Sequence, residues 1–147
     1  MKFKAIIEIP KGSDRRTHMA YDKSGFVDLG PMKDRIPVNG GIMPVAYGLI
    51  DGTLNKDDGD EVDVMVFSKN AYKTGDKVEV NIVGVLKRED GDHKVIAHDN
   101  SLENFTLDGL PAEERKIMLD FVGYMAKIVA IDGAKQALEY IKNSIVK

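Results

Sequence analysis

Over its first hundred residues the chain breaks its apolar residues into short runs, each closed by glycine, proline or a polar turn residue. That rhythm favours short strands over long helices. Residues 5–9 stop at Pro10 and Gly12. Residues 26–29 are a weaker strand, and the segment from Gly30 to Gly41 holds Pro31, Pro37, Asn39 and Gly40, which makes it irregular or edge-like. Residues 45–50 turn at Asp51-Gly52, and residues 62–67 form the next run. Residues 77–86 alternate Val78, Val80 and Ile82 against Glu79 and Asn81 before turning apolar at Val83. Residues 95–97 resume after the Asp90-Gly91 turn signal. Several short strands with glycine-rich turns predict a small curled sheet or barrel. After Asn100 the period changes. Ile117, Phe121, Tyr124 and Ile128 predict a helix over 113–130 in spite of Gly123. Ala134, Ala137, Leu138, Ile141 and Ile145 predict a second over 132–145, both packed on the barrel.

With 147 residues the chain can bury roughly two thirds of its unfolded surface without disulfides. No long linker, repeat or low-complexity tract divides it, so 1–147 reads as one domain. The absence of cysteine excludes disulfides, thiolate nucleophiles and thiolate metal sites, leaving oxygen or imidazole to hold any metal. No run of eighteen apolar residues suggests a membrane helix. The opening Met1-Lys2-Phe3-Lys4 enters a strand-like run too soon for a secretory signal, so a cytoplasmic place is expected. Twenty-one basic against twenty-four acidic residues give a net charge of −3, which argues against a nonspecific nucleic-acid grip.

Five carboxylates, Asp57, Asp58, Asp60, Glu61 and Asp63, stand immediately before the apolar run 64–67. Such crowding raises the carboxyl pKa values and weakens a fold unless solvent or a cation absorbs the charge. With a turn at Gly59, Asp58, Asp60 and Asp63 can converge on one pocket. Both a solvated acidic turn and a metal site are compatible with this pattern. An EF-hand is not, because its glycine and terminal glutamate spacing is missing; magnesium, which takes a few carboxylates plus water and phosphate oxygens, fits better. A second charged segment, Lys87-Arg88-Glu89-Asp90-Gly91-Asp92-His93-Lys94, reads either as a hairpin tip or as the opposite lip of the same pocket. Lys94 and Arg35 suit a multiply anionic substrate, Arg35 by a bidentate fork. Other chemistries find no support. The three histidines lack close zinc spacing, no serine sits in a nucleophile elbow, and no P-loop ending is present.

Asp58-Gly59-Asp60-Glu61-Val62-Asp63-Val64 resembles the signature of the soluble family I inorganic pyrophosphatases. The flanking order agrees: Glu8-Ile9-Pro10, Arg35 and Pro44-Val45-Ala46-Tyr47-Gly48 come before it. Val83-Gly84-Val85-Leu86-Lys87, Asp90, Asp92, Lys94 and Tyr124 come after it, so the resemblance runs from Glu8 to about Tyr124. It implies a mainly β fold with α, a five-stranded OB-like barrel flanked by C-terminal helices. The implied activity is magnesium-dependent hydrolysis of inorganic diphosphate to two phosphates, by metal-activated water and in-line attack. By the same resemblance Asp58, Asp60, Asp63, Asp90 and Asp92 are metal ligands with Glu8 beside them. Asp60 is the general base, Tyr47 lines the water site, and Arg35, Lys94 and Tyr124 meet phosphate. A homo-oligomer, commonly a hexamer in prokaryotes, is implied too.

The sequence departs from the family pattern on the phosphate side. His18 stands where a lysine is expected, as a candidate substrate-binding residue, and Ala20 replaces a glutamate. Met43 replaces a tyrosine and Met125 a lysine, while Arg15 or Arg16 is placed to compensate. These changes keep two alternatives in view, a divergent phosphoanhydride hydrolase and a catalytically impaired metal-binding assembly domain. An OB domain binding nucleic acid through Tyr47, Phe67 and Tyr72 is disfavoured by the dense acids.

Overall fold

The computed structural model describes residues 2–20, 22–55 and 59–146. In chain order its elements are β1 (Lys2–Ile9), β2 (Arg15–Met19), β3 (Phe26–Pro31), β4 (Ala46–Ile50), β5 (Asp63–Phe67), β6 (Lys77–Arg88), β7 (Lys94–His98), α1 (Ala112–Val122), β8 (Ile128–Gly133) and α2 (Ala134–Asn143). The expected five-stranded barrel is present. Strands β1, β4, β5, β7 and β6 follow one another around it, and β6 pairs back onto β1, so the ring has no open edge. Every neighbour pair in the ring is antiparallel except β5 and β7, whose parallel register sets Asp63 beside Lys94.

The pattern of burial explains why the strands read as apolar runs and not as clean alternation. On β5, Val64 and Val66 point into the barrel core with Ala5, Ile7, Val80 and Val95, while Met65 points outward under α1 with Leu86 and Ile96. A strand covered on both faces is apolar throughout. Helix α1 covers that outer face through Met118 and Val122, and α2 joins the barrel core through Ala137 and Ile141. Gly48 on β4 is held against β1 so closely that a Cβ there would lie 2.0 Å from the Ile6 carbonyl oxygen. Only glycine allows the two strands that approach.

Two expectations need correction, and one strand is new. The first helix ends at Val122 rather than near 130, because Gly123 caps it and residues 128–133 leave to form β8 on the outer edge of β6. Tyr124 and Ile128 therefore do not share a helical stripe with Ile117 and Phe121. The second helix begins at Ala134, and Asp132 belongs to β8. Residues 15–19, polar and without apolar alternation, pair with β3 in a separate two-stranded sheet. Residues 30–41 are irregular as expected, carrying two 3₁₀ turns. Among the described residues no helix is long and apolar enough to cross a membrane.

Candidate functional site

The parallel pairing of β5 and β7 fixes the centre of the site. Asp63 and Lys94 each open their strand and stand side by side, so the ammonium is delivered to a carboxylate by backbone register alone. Lys94 is 5% exposed, and its Nζ donates to Asp63 Oδ2 at 2.6 Å and to Tyr47 Oη at 2.8 Å. It also lies 2.9 Å from Asp92 Oδ2. Three oxygens for three ammonium protons leave the buried cation satisfied. The same Nζ sits 5.4 Å from the Tyr47 ring centroid.

Asp63 and Asp92 meet at Lys94, whose Nζ lies 2.6 Å from an oxygen of the first and 2.9 Å from an oxygen of the second. Burial pushes Asp63 up to about 7, with Asp92 adding to the rise and Lys94 opposing it. Burial works against the Asp92 charge as well, but the Lys94 and Arg88 charges hold its carboxyl below the ordinary value. Burial first, and the Asp63 and Asp92 charges next, push the Tyr47 phenol well up, so it stays neutral.

Arg88, at the end of β6, extends this network. It is 9% exposed, donates from Nε to Asp90 Oδ1 at 3.1 Å and from Nη1 to the Val122 carbonyl at 3.2 Å, and pairs through Nη2 with Asp90. Nη2 also lies 3.9 Å from Asp92 Oδ2. The hydrogen bond from Arg88 holds the Asp90 carboxyl down. Sequence reading passed over Arg88 as part of a charged hairpin tip. The signal available was a cation two residues beyond apolar Leu86, with two aspartates just after it.

Above this floor opens a cleft of about 360 Å³. His18, Arg35, Tyr47, Asp60, Asp63, Asp92 and Lys94 all line it, so seven of the expected residues converge. Arg16 lines it too, whereas Arg15 is tied to Asp28 at 2.9 and 3.0 Å and is not among the lining residues; of the two arginines weighed as a replacement, Arg16 is the one in place. Arg16 and Arg35 have no carboxylate partner among the described residues. Lys23, in the turn between β2 and β3, pairs with Glu61 and ties that hairpin to the acidic segment.

The other expected residues stand apart. Glu8 is 2% exposed behind the cleft, where it accepts the Met19 N–H at 2.7 Å and lies 3.8 Å from His18 Nδ1; burial raises its pKa. His18 Nδ1 is 2.8 Å from the Met19 carbonyl, so that nitrogen carries a proton. Asp90 is partly exposed beside Arg88 and outside the cleft lining, and half-exposed Tyr124 is also outside it, while its neighbour Met125 is a lining residue. Asp57 and Asp58 lie outside the described residues.

Among the described residues no three His, Asp or Glu side chains stand close enough to enclose an ion; Lys94 and Arg88 take the positions between the aspartates. The donor chemistry nevertheless fits a hard cation. Asp60, Asp63 and Asp92 line one cleft and offer only oxygen.

A model of the inorganic pyrophosphatase family matches residues 5–111. The chain is 37% identical over 103 residues to the inorganic pyrophosphatase of Campylobacter jejuni, covering 68% of this chain and 56% of that one. It is 34% identical over a 154-residue alignment to that of Sulfolobus acidocaldarius, covering 95% and 85%. The matched part spans little more than half the length of several such relatives. Among solved structures, the inorganic pyrophosphatase of Ehrlichia chaffeensis superposes with a TM-score of 0.84 at 22% identity, covering 98% of this chain and 93% of that one. That of Neisseria gonorrhoeae gives 0.78 at 27%, covering 97% and 88%.

Proposed function

The chain belongs to the inorganic pyrophosphatase family, and from that membership we propose that it hydrolyses inorganic diphosphate to two phosphates with magnesium as cofactor. The observation that carries the reading is the meeting in one cleft of three aspartates with Arg16 and Arg35, arginines that have no carboxylate partner among the described residues. Such arginines suit an anionic substrate, and such acids suit a cation that travels with it.

Magnesium held by Asp58, Asp60, Asp63, Asp90 and Asp92 would lower the pKa of the attacking water and neutralise phosphate oxygens. Arg16 and Arg35 grip the phosphoryl oxygens by charge and by forked hydrogen bonds, with His18 alongside them. Asp60, on the cleft wall, takes the proton of the attacking water. Lys94 keeps Asp63 and Asp92 in fixed orientation, and neutral Tyr47 holds Lys94 in turn. Fixed charges of this kind carry most of the catalysis in phosphoryl transfer, since they need no reorganisation as the reaction proceeds. Glu8, behind the cleft, supports the hairpin through Met19. Tyr124, beside the lining residue Met125, is a further candidate for phosphate contact.

The reading also carries a homo-oligomer, with a hexamer as the first arrangement to test by sedimentation, and a cytoplasmic place. The test of activity is phosphate release from magnesium diphosphate, with EDTA and Asp60→Asn as controls and ATP and polyphosphate as competitors. Turnover abolished by both controls is the expected result. No release from folded protein at saturating magnesium would sink the assignment.

A further inference from the structure

The cleft is lined by more than charge. Beside its cations stands a wall of alkyl and thioether groups, with Arg16 Nη1 3.5 Å from the Leu29 carbonyl. Leu29 and Met125 are 48% and 49% exposed at its mouth, and half-buried Ile36 leads inward to Met43, Met32 and Phe121, which pack as one cluster. Large apolar side chains scattered singly over a surface need no explanation. These two open into the same concavity as Arg16 and Arg35 and continue into a buried apolar cluster. Inorganic diphosphate has no apolar surface to set against them. The volume of about 360 Å³ falls within the roughly 300–1,000 Å³ of pockets that enclose organic ligands, and an apolar wall with a few convergent polar groups is the usual lining of such pockets. Methionine, unbranched and polarisable, adapts to varied apolar shapes.

We propose that this centre also cleaves diphosphate monoesters carrying an apolar organic substituent, with the diphosphate on Arg16 and Arg35 and the substituent against Leu29, Ile36, Met43 and Met125. The inference rests on the phosphoanhydride hydrolysis proposed above and extends its substrate class. The water oxygen bonds to the terminal phosphorus. The P–O bond to the bridging oxygen breaks, and its electron pair leaves on the organic monophosphate. One water proton passes to Asp60 and is then released, giving organic monophosphate and inorganic phosphate with no redox change.

The test compares benzyl diphosphate with methyl diphosphate, which have the same charge and differ in apolar bulk, with inorganic diphosphate assayed in parallel. For the magnesium-loaded protein the expected kcat/KM for the benzyl ester exceeds that for the methyl ester by at least about tenfold, the scale on which apolar pockets discriminate. Met125→Lys, at a half-exposed position that tolerates the change, should remove most of that preference and improve turnover of inorganic diphosphate. Calorimetric binding of benzyl phosphate against methyl phosphate reads the same wall without turnover, with the benzyl compound tighter by a similar factor. Equal values for the two esters, with inorganic diphosphate cleaved, would overturn the organic-substrate proposal alone. Failure to cleave any diphosphate would overturn the hydrolase reading and the organic-ester activity with it. Equal binding of the two monophosphates would remove the apolar subsite itself.

Discussion

Lys94 and Arg88, on the floor of the cleft, each face two aspartates, whereas Arg16 and Arg35, higher in the same cleft, have no carboxylate partner among the described residues. The floor is built from β5, β6 and β7, three strands of a closed ring, and its charges are buried at positions that backbone register fixes. The Arg16 side is built from the β2–β3 hairpin, which forms a two-stranded sheet of its own and leaves its cations near water. Desolvating paired charges is worthwhile only when geometry is held, and the barrel holds it. A solvated side chain can be exchanged at little cost to the fold. Most departures from the family pattern follow this division, since the described acids of the floor match while His18, Ala20 and Met125 stand outside it; Met43, at 2% exposed, is the departure that is itself buried.

The contrast can be broken most severely at Lys94. Lys94→Met leaves Asp63 and Asp92 facing each other across a buried space, and kcat/KM for diphosphate should fall roughly 100- to 1,000-fold, as when a preorganised donor is lost. Steady-state kinetics at saturating magnesium would show it. Arg88→Met should act first on stability, at about 2–3 kcal/mol by urea unfolding. That is below the roughly 3–5 expected for breaking a fully enclosed pair, because Asp90 keeps contact with solvent. If Arg88→Met proved neutral, the floor would owe less to pairing than its geometry suggests.

Smaller effects sharpen the other half of the comparison. Arg35→Ala should raise KM roughly tenfold while leaving the melting temperature unchanged, because it removes the proposed substrate contact and no carboxylate partner among the described residues. Asp63, raised to about 7 by burial, sheds its proton as pH climbs through that value. Magnesium affinity should therefore rise roughly tenfold between pH 6 and pH 8 in calorimetry. The sign for stability is the reverse in metal-free protein. A carboxyl whose folded pKa lies above its unfolded value favours the fold at acid pH and loses that advantage between about pH 4 and pH 7. The melting temperature should fall over that window without metal and recover with it. Arg15→Ala is the smallest change of all. Its pair with Asp28 is exposed, so neither activity nor melting temperature should move measurably.

The sequence was legible where burial is two-sided or periodic. The strand runs near 5–9, 45–50, 62–67, 77–86 and 95–97 are apolar because the barrel core lies on one side and helices cover part of the other. Strand β8 was hidden because its outward residues Val129 and Ile131 are apolar as well, so no alternation stood out and Ile128 continued a helical spacing. Strand β2 was hidden for the opposite reason. Its residues, Arg15 to Met19, are held by hairpin pairing and carry little apolar signal. At the site, Asp60 and Asp63 of the first charged segment and Asp92 of the second line one cleft, as their places in those segments led one to expect. That Arg88 is buried against Asp90, or that Arg16 and not Arg15 meets the cleft, depends on packing between segments far apart in the chain, and no local pattern encodes that.

The close approach of β4 to β1 at Gly48 makes one position of the barrel intolerant of any side chain. The residue just before it is Tyr47, the phenol that braces Lys94. Even Gly48→Ala would press on the Ile6 carbonyl, push the two strands apart and carry the tyrosine with them. In a library randomised across this strand, the survivors at residue 48 should be glycine alone. The variants lost there would be lost together with their grip on the site, although position 48 lines no part of it.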